Sequence, residues 1–355
     1  MIRVKEITKE TYFCDEAVGK IGKEEIDFLK AQVPHNPRAR ARMCFHNDTN
    51  AALQEMFVVY VPETYNRPNK HQAESLHILE GAADFVFFDE NGKVTQVLPL
   101  GDRASGKQFY CRIPEQVYHT LFIRSKEIVI HEARLGPFQK ADTIFAPWAL
   151  EEGTPQVDTW LADLEKTLAA KFTSDLTGSK RPLIRLKSTS PEVYMADELV
   201  VNIGPAEVDF LKMNVSKTAR KRIRICAHEN SESEMHEMYM IFPQRSYMRP
   251  SRHTIDESLH LIEGSATYVF FNNDGKITEV VRLGGDRPDR KLYCRVPAGH
   301  YHTLIIHSEQ LVFRQTTTGP FNKADTSYAP WAPTEDDPKV GDEWLRQLEA
   351  KIRSM

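Results

Sequence analysis

No run of apolar residues in this chain approaches the roughly 20 needed to cross a bilayer as a helix. The opening residues, Met1 to Glu6, also lack the apolar segment of a secretory signal. No membrane partner is expected, and a cytoplasmic protein is. Neither sign of charge is in excess: 46 Lys and Arg stand against 50 Asp and Glu, a formal net charge of -4. A nucleic acid would find no broad basic footprint here. The local exceptions are Arg38-Ala39-Arg40-Ala41-Arg42 and Arg220-Lys221-Arg222-Ile223-Arg224. Cysteine is sparse, with five residues, an odd number, and no CxxC pair. Reduced thiols are expected rather than a disulfide framework. Long segments of 3.6-residue periodicity between strand-like runs are also missing. That excludes a helix bundle or a doubly wound sheet.

What the chain does have, it has twice. Glu74-Ser75-Leu76-His77-Ile78-Leu79-Glu80-Gly81 returns as Glu257-Ser258-Leu259-His260-Leu261-Ile262-Glu263-Gly264. Residues 74–148 align with 257–331 without a gap, about half the positions being identical. Upstream, Ile26-Asp27-Phe28-Leu29-Lys30 answers Val208-Asp209-Phe210-Leu211-Lys212. Two repeats of about 175 residues are two domains, because a solenoid needs more and shorter units. The expected division is residues 1–175 and 183–355, with the polar, breaker-rich stretch Thr173 to Pro182 as the joint.

Within each repeat a short helix (about Lys23 to Gln32, and Pro205 to Asn214) precedes many short strand-like runs. The turns Glu90-Asn91-Gly92-Lys93 and Asn273-Asp274-Gly275-Lys276 are hairpin signals. An amphipathic helix closes each copy, with Trp160, Leu161, Leu164 and Leu168 on one face, and Trp344, Leu345, Leu348 and Ile352 on the other's. Many short strands with helices only at the ends predict an all-β sandwich or barrel in each half.

The candidate chemistry lies around the repeated octapeptide. His71 and Glu74, with His119 further on, recur as His253, Glu257 and His302. Imidazoles and a carboxylate suit Fe, Mn, Zn, Ni or Cu, and three such ligands leave positions open for substrate. One divalent transition metal per domain is expected. His77 and His260 sit three residues after the glutamates, so on a strand they face the opposite way. Packing against a helix or the other domain is expected of them. Arg42 and His46, and likewise Arg224 and His228, share one parity of a strand whose other parity is apolar. Such a face lines a polar cavity or meets solvent, and arginine suits an anionic group. Arg67, Arg249, Arg112 and Arg295 adjoin the ligand-bearing segments and are further substrate-contact candidates. No catalytic residue is assigned.

These motifs resemble the cupin pattern, in which His-x-His, Glu and Gly are followed by Pro-x-Gly-x-x-His. Pro297-Ala298-Gly299-His300-Tyr301-His302 carries the second motif in full, and Pro114 to His119 carries it with Gln116 in place of glycine. Asn69 and Ser251 stand where the family has its first histidine. Tyr-x-Arg-Pro-x-x-His, Glu-Ser-Leu-His-x-x-Glu-Gly, Gly-Pro-Phe and Ala-Pro-Trp-Ala together are similar to the WbuC-type cupin fold metalloproteins. The resemblance implies two tandem cupin domains of jelly-roll form with short flanking helices. It implies a metal-binding protein with Fe, Mn, Zn or Ni, and a small polar or anionic ligand. A sugar or nucleotide-sugar of cell-surface polysaccharide metabolism, in an isomerase or epimerase reaction, is the first implied function. A non-haem Fe(II) dioxygenase and a non-catalytic binding protein are the alternatives. A homodimer is the assembly to test.

Overall fold

The computed structural model describes residues 2–172, 182–285 and 287–355; the joint at 173–181 lies outside them. Each half is a pair of facing, mostly antiparallel sheets, with one parallel pairing between Thr11–Cys14 and Arg40–Cys44 in the first and between Val193–Ala196 and Ile223–Cys226 in the second. In the first half an eight-stranded sheet runs Val4–Thr8, Thr11–Cys14, Arg40–Cys44, Leu53–Tyr60, Ile128–Leu135, Glu74–Glu80, Tyr110–Ile113, Val201–Ile203. The facing sheet runs Ile144–Phe145, Asn69–Lys70, Tyr118–Ile123, Ala82–Phe88, Val94–Gly101. The second half repeats this order, its two sheets joined by a short parallel contact between Leu283 and Lys291. The expected helices are α1 (Lys23–Gln32), α2 (Val157–Lys171), α3 (Pro205–Asn214) and α4 (Pro338–Arg353). No helix of the described residues is long and apolar enough to cross a membrane, and none of the five cysteines is in a disulfide.

Strand alternation builds two interfaces from one sequence. Along Glu74–Glu80, Leu76 and Ile78 point into the jelly roll, where they pack with Phe85, Phe87, Leu98 and Cys111. Ser75 and His77 point the other way, into the contact between the halves. Gly81 and Gly264 end these strands at φ 85° and 96°. A Cβ there would lie 2.4 Å from the carbonyl oxygen of Glu127 or Gln310, so only glycine fits.

The halves exchange strands. Lys20–Gly22, from the first repeat, pairs with Lys291–Val296 at the edge of the second half's sheet. Its repeat partner Val201–Ile203 pairs with Tyr110–Ile113 of the first. Each exchanged strand leads directly into a helix that returns to its own half. Thus Ile21, Ile26 and Leu29 share one core with Phe57 and with Tyr293 of the other repeat. The same holds for Ile203, Val208 and Leu211 with Tyr239 and Tyr110.

Between the halves lies a buried polar network with near twofold symmetry. Glu237 accepts hydrogen bonds from Ser75 (2.6 Å), Tyr110 (2.6 Å) and Arg112 (2.9 Å). Glu55 accepts them from Ser258 (2.6 Å), Tyr293 (2.9 Å) and Arg295 (3.1 Å). His77 and His260 stack on each other at the centre, 4.1 Å between rings. The symmetry breaks at His131 and its counterpart Arg314, where Arg314 donates to His131 Nδ1, and at Asp256, which pairs with Arg295 where the first half has Ala73. Two fully buried carboxylates with their arginines hold the halves in one register. Removing one member of such a pair strands a buried charge, which costs about 3–5 kcal/mol.

Candidate metal centres

Each ligand triad assembles from three neighbouring strands. Glu257 opens the strand Glu257–Glu263, His302 comes from Tyr301–Ile306, and His253 ends Ser251–His253. His302 Nε2 lies 2.9 Å and His253 Nε2 3.7 Å from the Glu257 carboxylate. In the first half His119 Nε2 and His71 Nε2 lie 3.3 and 3.4 Å from the same oxygen of Glu74. In both triads one donor atom from each residue lies within 4.8 Å of the others. The donor chemistry fits a divalent transition ion.

The histidines are oriented for that role. His302 Nδ1 is bound at the His300 carbonyl (2.9 Å), His119 Nδ1 at Val117 (2.8 Å) and His71 Nδ1 at Gln72 (2.7 Å). His253 Nδ1 meets the Thr326 hydroxyl (3.1 Å). With Nδ1 engaged at a carbonyl or hydroxyl, Nε2 is the nitrogen turned toward the carboxylate, which is how metal-binding imidazoles are fixed. Glu257 is steadied by Gln315, 2.6 Å away. Burial works against its charge, yet the hydrogen bond from His302 and the charges of both histidines hold it at about 2. Glu74 is likewise lowered against its burial by His71 and His119. His71 overcomes burial through the Glu74 charge and rises to about 9. An ion would replace these mutual imidazole–carboxylate contacts.

The surroundings of the two triads differ. A cavity of about 790 Å³ opens onto His253 and Glu257. Its wall includes Lys187, Arg224, His228 and His236, and the apolar Met195, Met238, Ile255 and Phe321. Arg224 is exposed and, unlike Arg42, has no carboxylate partner among the described residues. In the first half a space of about 20 Å³ borders His71, with Arg134 and Phe138 in its wall.

Of the arginines and histidines expected at a substrate, Arg224 and His228 reach the cavity. The others make contacts within the fold. Arg112 and Arg295 pair with Glu237 and Glu55 between the halves. Arg67 and Arg249 donate to the carbonyls of Ala149 and Ala329 and lie over Phe145 and Tyr328. Arg42 pairs with Glu10, and His46 is buried against the Glu55 carbonyl. His77 and His260, as their parity implies, meet across the domain contact. Glu55 and Glu237 were not singled out by sequence reasoning. Their signal was a glutamate at matching positions of two otherwise apolar strands, Leu53–Tyr60 and Met235–Pro243. Gln315 and Thr326, which hold the second triad, carry no comparable signal.

The family profile described as a domain of unknown function (DUF6016) matches residues 21–100 and again 204–283. No curated protein matches the chain in sequence. Among solved structures, the salicylate 1,2-dioxygenase from Pseudaminobacter salicylatoxidans superposes with a TM-score of 0.58 at 11% identity, over 88% of this chain and 87% of that one. A point mutant of that enzyme in complex with gentisate gives 0.57 at 11% identity, over 88% and 86%. An oxalate decarboxylase mutant from Bacillus subtilis gives 0.41 at 13%, over 78% and 71%, too slight a likeness to build on. At such identities the likeness shows the fold, and the fold is two tandem cupin domains.

Proposed function

We propose that this chain is a metal-dependent cupin enzyme whose second half carries the working centre and acts on a small organic anion. The observation that carries this reading is the triad His253, Glu257 and His302 opening into a ligand-sized cavity with an unpaired arginine on its wall. A divalent ion there would polarise a bound oxygen atom while leaving coordination positions free. Arg224 would hold the anionic group of the substrate, and Lys187 adds positive charge. Met195, Met238, Ile255 and Phe321 would take its apolar part and exclude water. His228 stacks on His236 with 4.0 Å between rings, which fixes its position in the cavity wall.

Two histidines and one carboxylate are the donor set of non-haem Fe(II) oxygenases. A dioxygenase is therefore the best supported reaction. An isomerase or epimerase acting on a sugar, with the WbuC-type assignment behind it, rests on the motif resemblance alone. The deciding experiment is metal analysis of the purified chain, before and after reconstitution. Stoichiometric metal is expected, and Glu257→Ala should remove the second-half equivalent alone. Less than about a tenth of an equivalent would sink every metal-dependent reading. With iron bound, oxygen uptake on adding hydroxylated aromatic acids separates the dioxygenase from the isomerase.

A further inference from the structure

The two halves share a sequence pattern, so each position beside one triad can be compared with its counterpart beside the other. In the register of the sheets Arg134 lies directly opposite Glu74, and Thr317 lies directly opposite Glu257. Glu132 and Gln315 follow two residues before them. Residues opposite one another in a sheet project to the same face. Arg134 and Glu132 therefore flank the first carboxylate as Thr317 and Gln315 flank the second.

The consequence is steric and electrostatic. The Arg134 guanidinium lies 4.6 Å from the ring centre of Phe138 and 3.8 Å from Glu132. With His71 and Phe138 it borders the small space beside the first triad. Thr317 is shorter; it bonds the Asp256 carbonyl instead, and Phe321, the counterpart of Phe138, is 70% exposed. The space of about 20 Å³ that His71, Arg134 and Phe138 line has room for about one water. The first centre also has two carboxylates on this face, Glu74 and the half-buried Glu132, where the second has Glu257 and the amide of Gln315.

We propose that the first centre is a sealed metal site, which holds its divalent ion as part of the fold, while the second exchanges its ion and ligands with solvent. Release from the first centre requires the Arg134–Phe138 cover to open, so it is limited by a local opening of the structure. This inference rests on the reading that both triads take a divalent ion.

The test loads the full chain with Zn²⁺ and follows its loss to excess EDTA. Two equivalents are expected, one leaving at least about 100-fold faster than the other. Glu257→Ala should delete the fast equivalent only. Arg134→Thr, which gives the first half the residue of the second, should turn the slow equivalent fast. Phe138→Ala is the second variant should Arg134→Thr fail to fold, and the same acceleration is expected of it. Loss of both equivalents at one rate would overturn the inference. So would a slow phase that neither cover variant alters, or loss of the slow equivalent in Glu257→Ala. In each of those cases metal binding itself stands. Failure to take up any Zn²⁺ would instead remove the reading of both centres as metal sites.

Discussion

Arg42 and Arg224 occupy equivalent positions of equivalent strands, and only their neighbours decide what each does. Glu10 neutralises Arg42, whereas Arg224 faces the cavity without an acidic partner among the described residues. Arg224→Ala should therefore weaken binding of an anionic substrate or inhibitor by about 10- to 100-fold, the worth of a hydrogen bond to a charged group. Metal content should stay unchanged, because Arg224 belongs to neither triad. Calorimetric titration of the metal-loaded chain with the anion measures this, and an unchanged affinity would remove Arg224 from the site. The two converging triads were legible in the sequence because their residue types are rare in strands and recur in order. The arginines were not, because an arginine near a ligand has the same local signature whether it meets a substrate or a buried glutamate. Arg295 shows this: it adjoins the metal motif in sequence, yet its guanidinium ends on Glu55 of the other half.

Among the elements, the repeat and its strands could be read from sequence, since hydrophobic alternation and Asn-Gly or Asp-Gly turns are local signals. Strand exchange could not. Lys20-Ile21-Gly22 has three residues and no pattern, and whether it pairs within its own half or across depends on a contact far along the chain. The exchange makes each half incomplete without the other. Ile21 and Ile203 are fully buried, so replacing either with alanine should cost about 2–5 kcal/mol. More telling is where the loss would appear. Trp148 and Trp160 report on the first half, Trp331 and Trp344 on the second. With each pair in turn replaced by phenylalanine, urea transitions of Ile21→Ala should coincide for both reporters. Two separated midpoints would mean that the halves fold independently, and that 1–175 and 183–355 are autonomous domains.

At the scale of the whole molecule, the contact between halves ties stability to pH. His77, His131 and His260 lie close together there, and burial, with lesser contributions from neighbouring positive groups such as Arg314, lowers all three well below the ordinary imidazole value. In the unfolded chain the same histidines take up protons near pH 6.5. Above that pH both states are neutral and these groups make stability independent of pH. Below it the unfolded state binds protons that the folded state refuses, so stability falls as pH falls. Each such histidine contributes a slope of about 1.4 kcal/mol per pH unit once the unfolded chain is fully protonated. Glu74 and Glu257, held low by their histidines, add to the loss only at lower pH, as the unfolded carboxylates protonate. Between about pH 6 and 5 the interdomain histidines should therefore set much of the dependence. His77→Phe isolates one of them. Its Nδ1 has no hydrogen-bond partner among the described residues, and phenylalanine keeps a ring against His260 and Phe109. Urea midpoints taken across pH 7.5 to 5 should show a slope in His77→Phe shallower than that of the parent by about one proton's worth. Identical slopes would mean that His77 takes up its proton in the folded state, and that the centre of the interface is wetter than its burial implies.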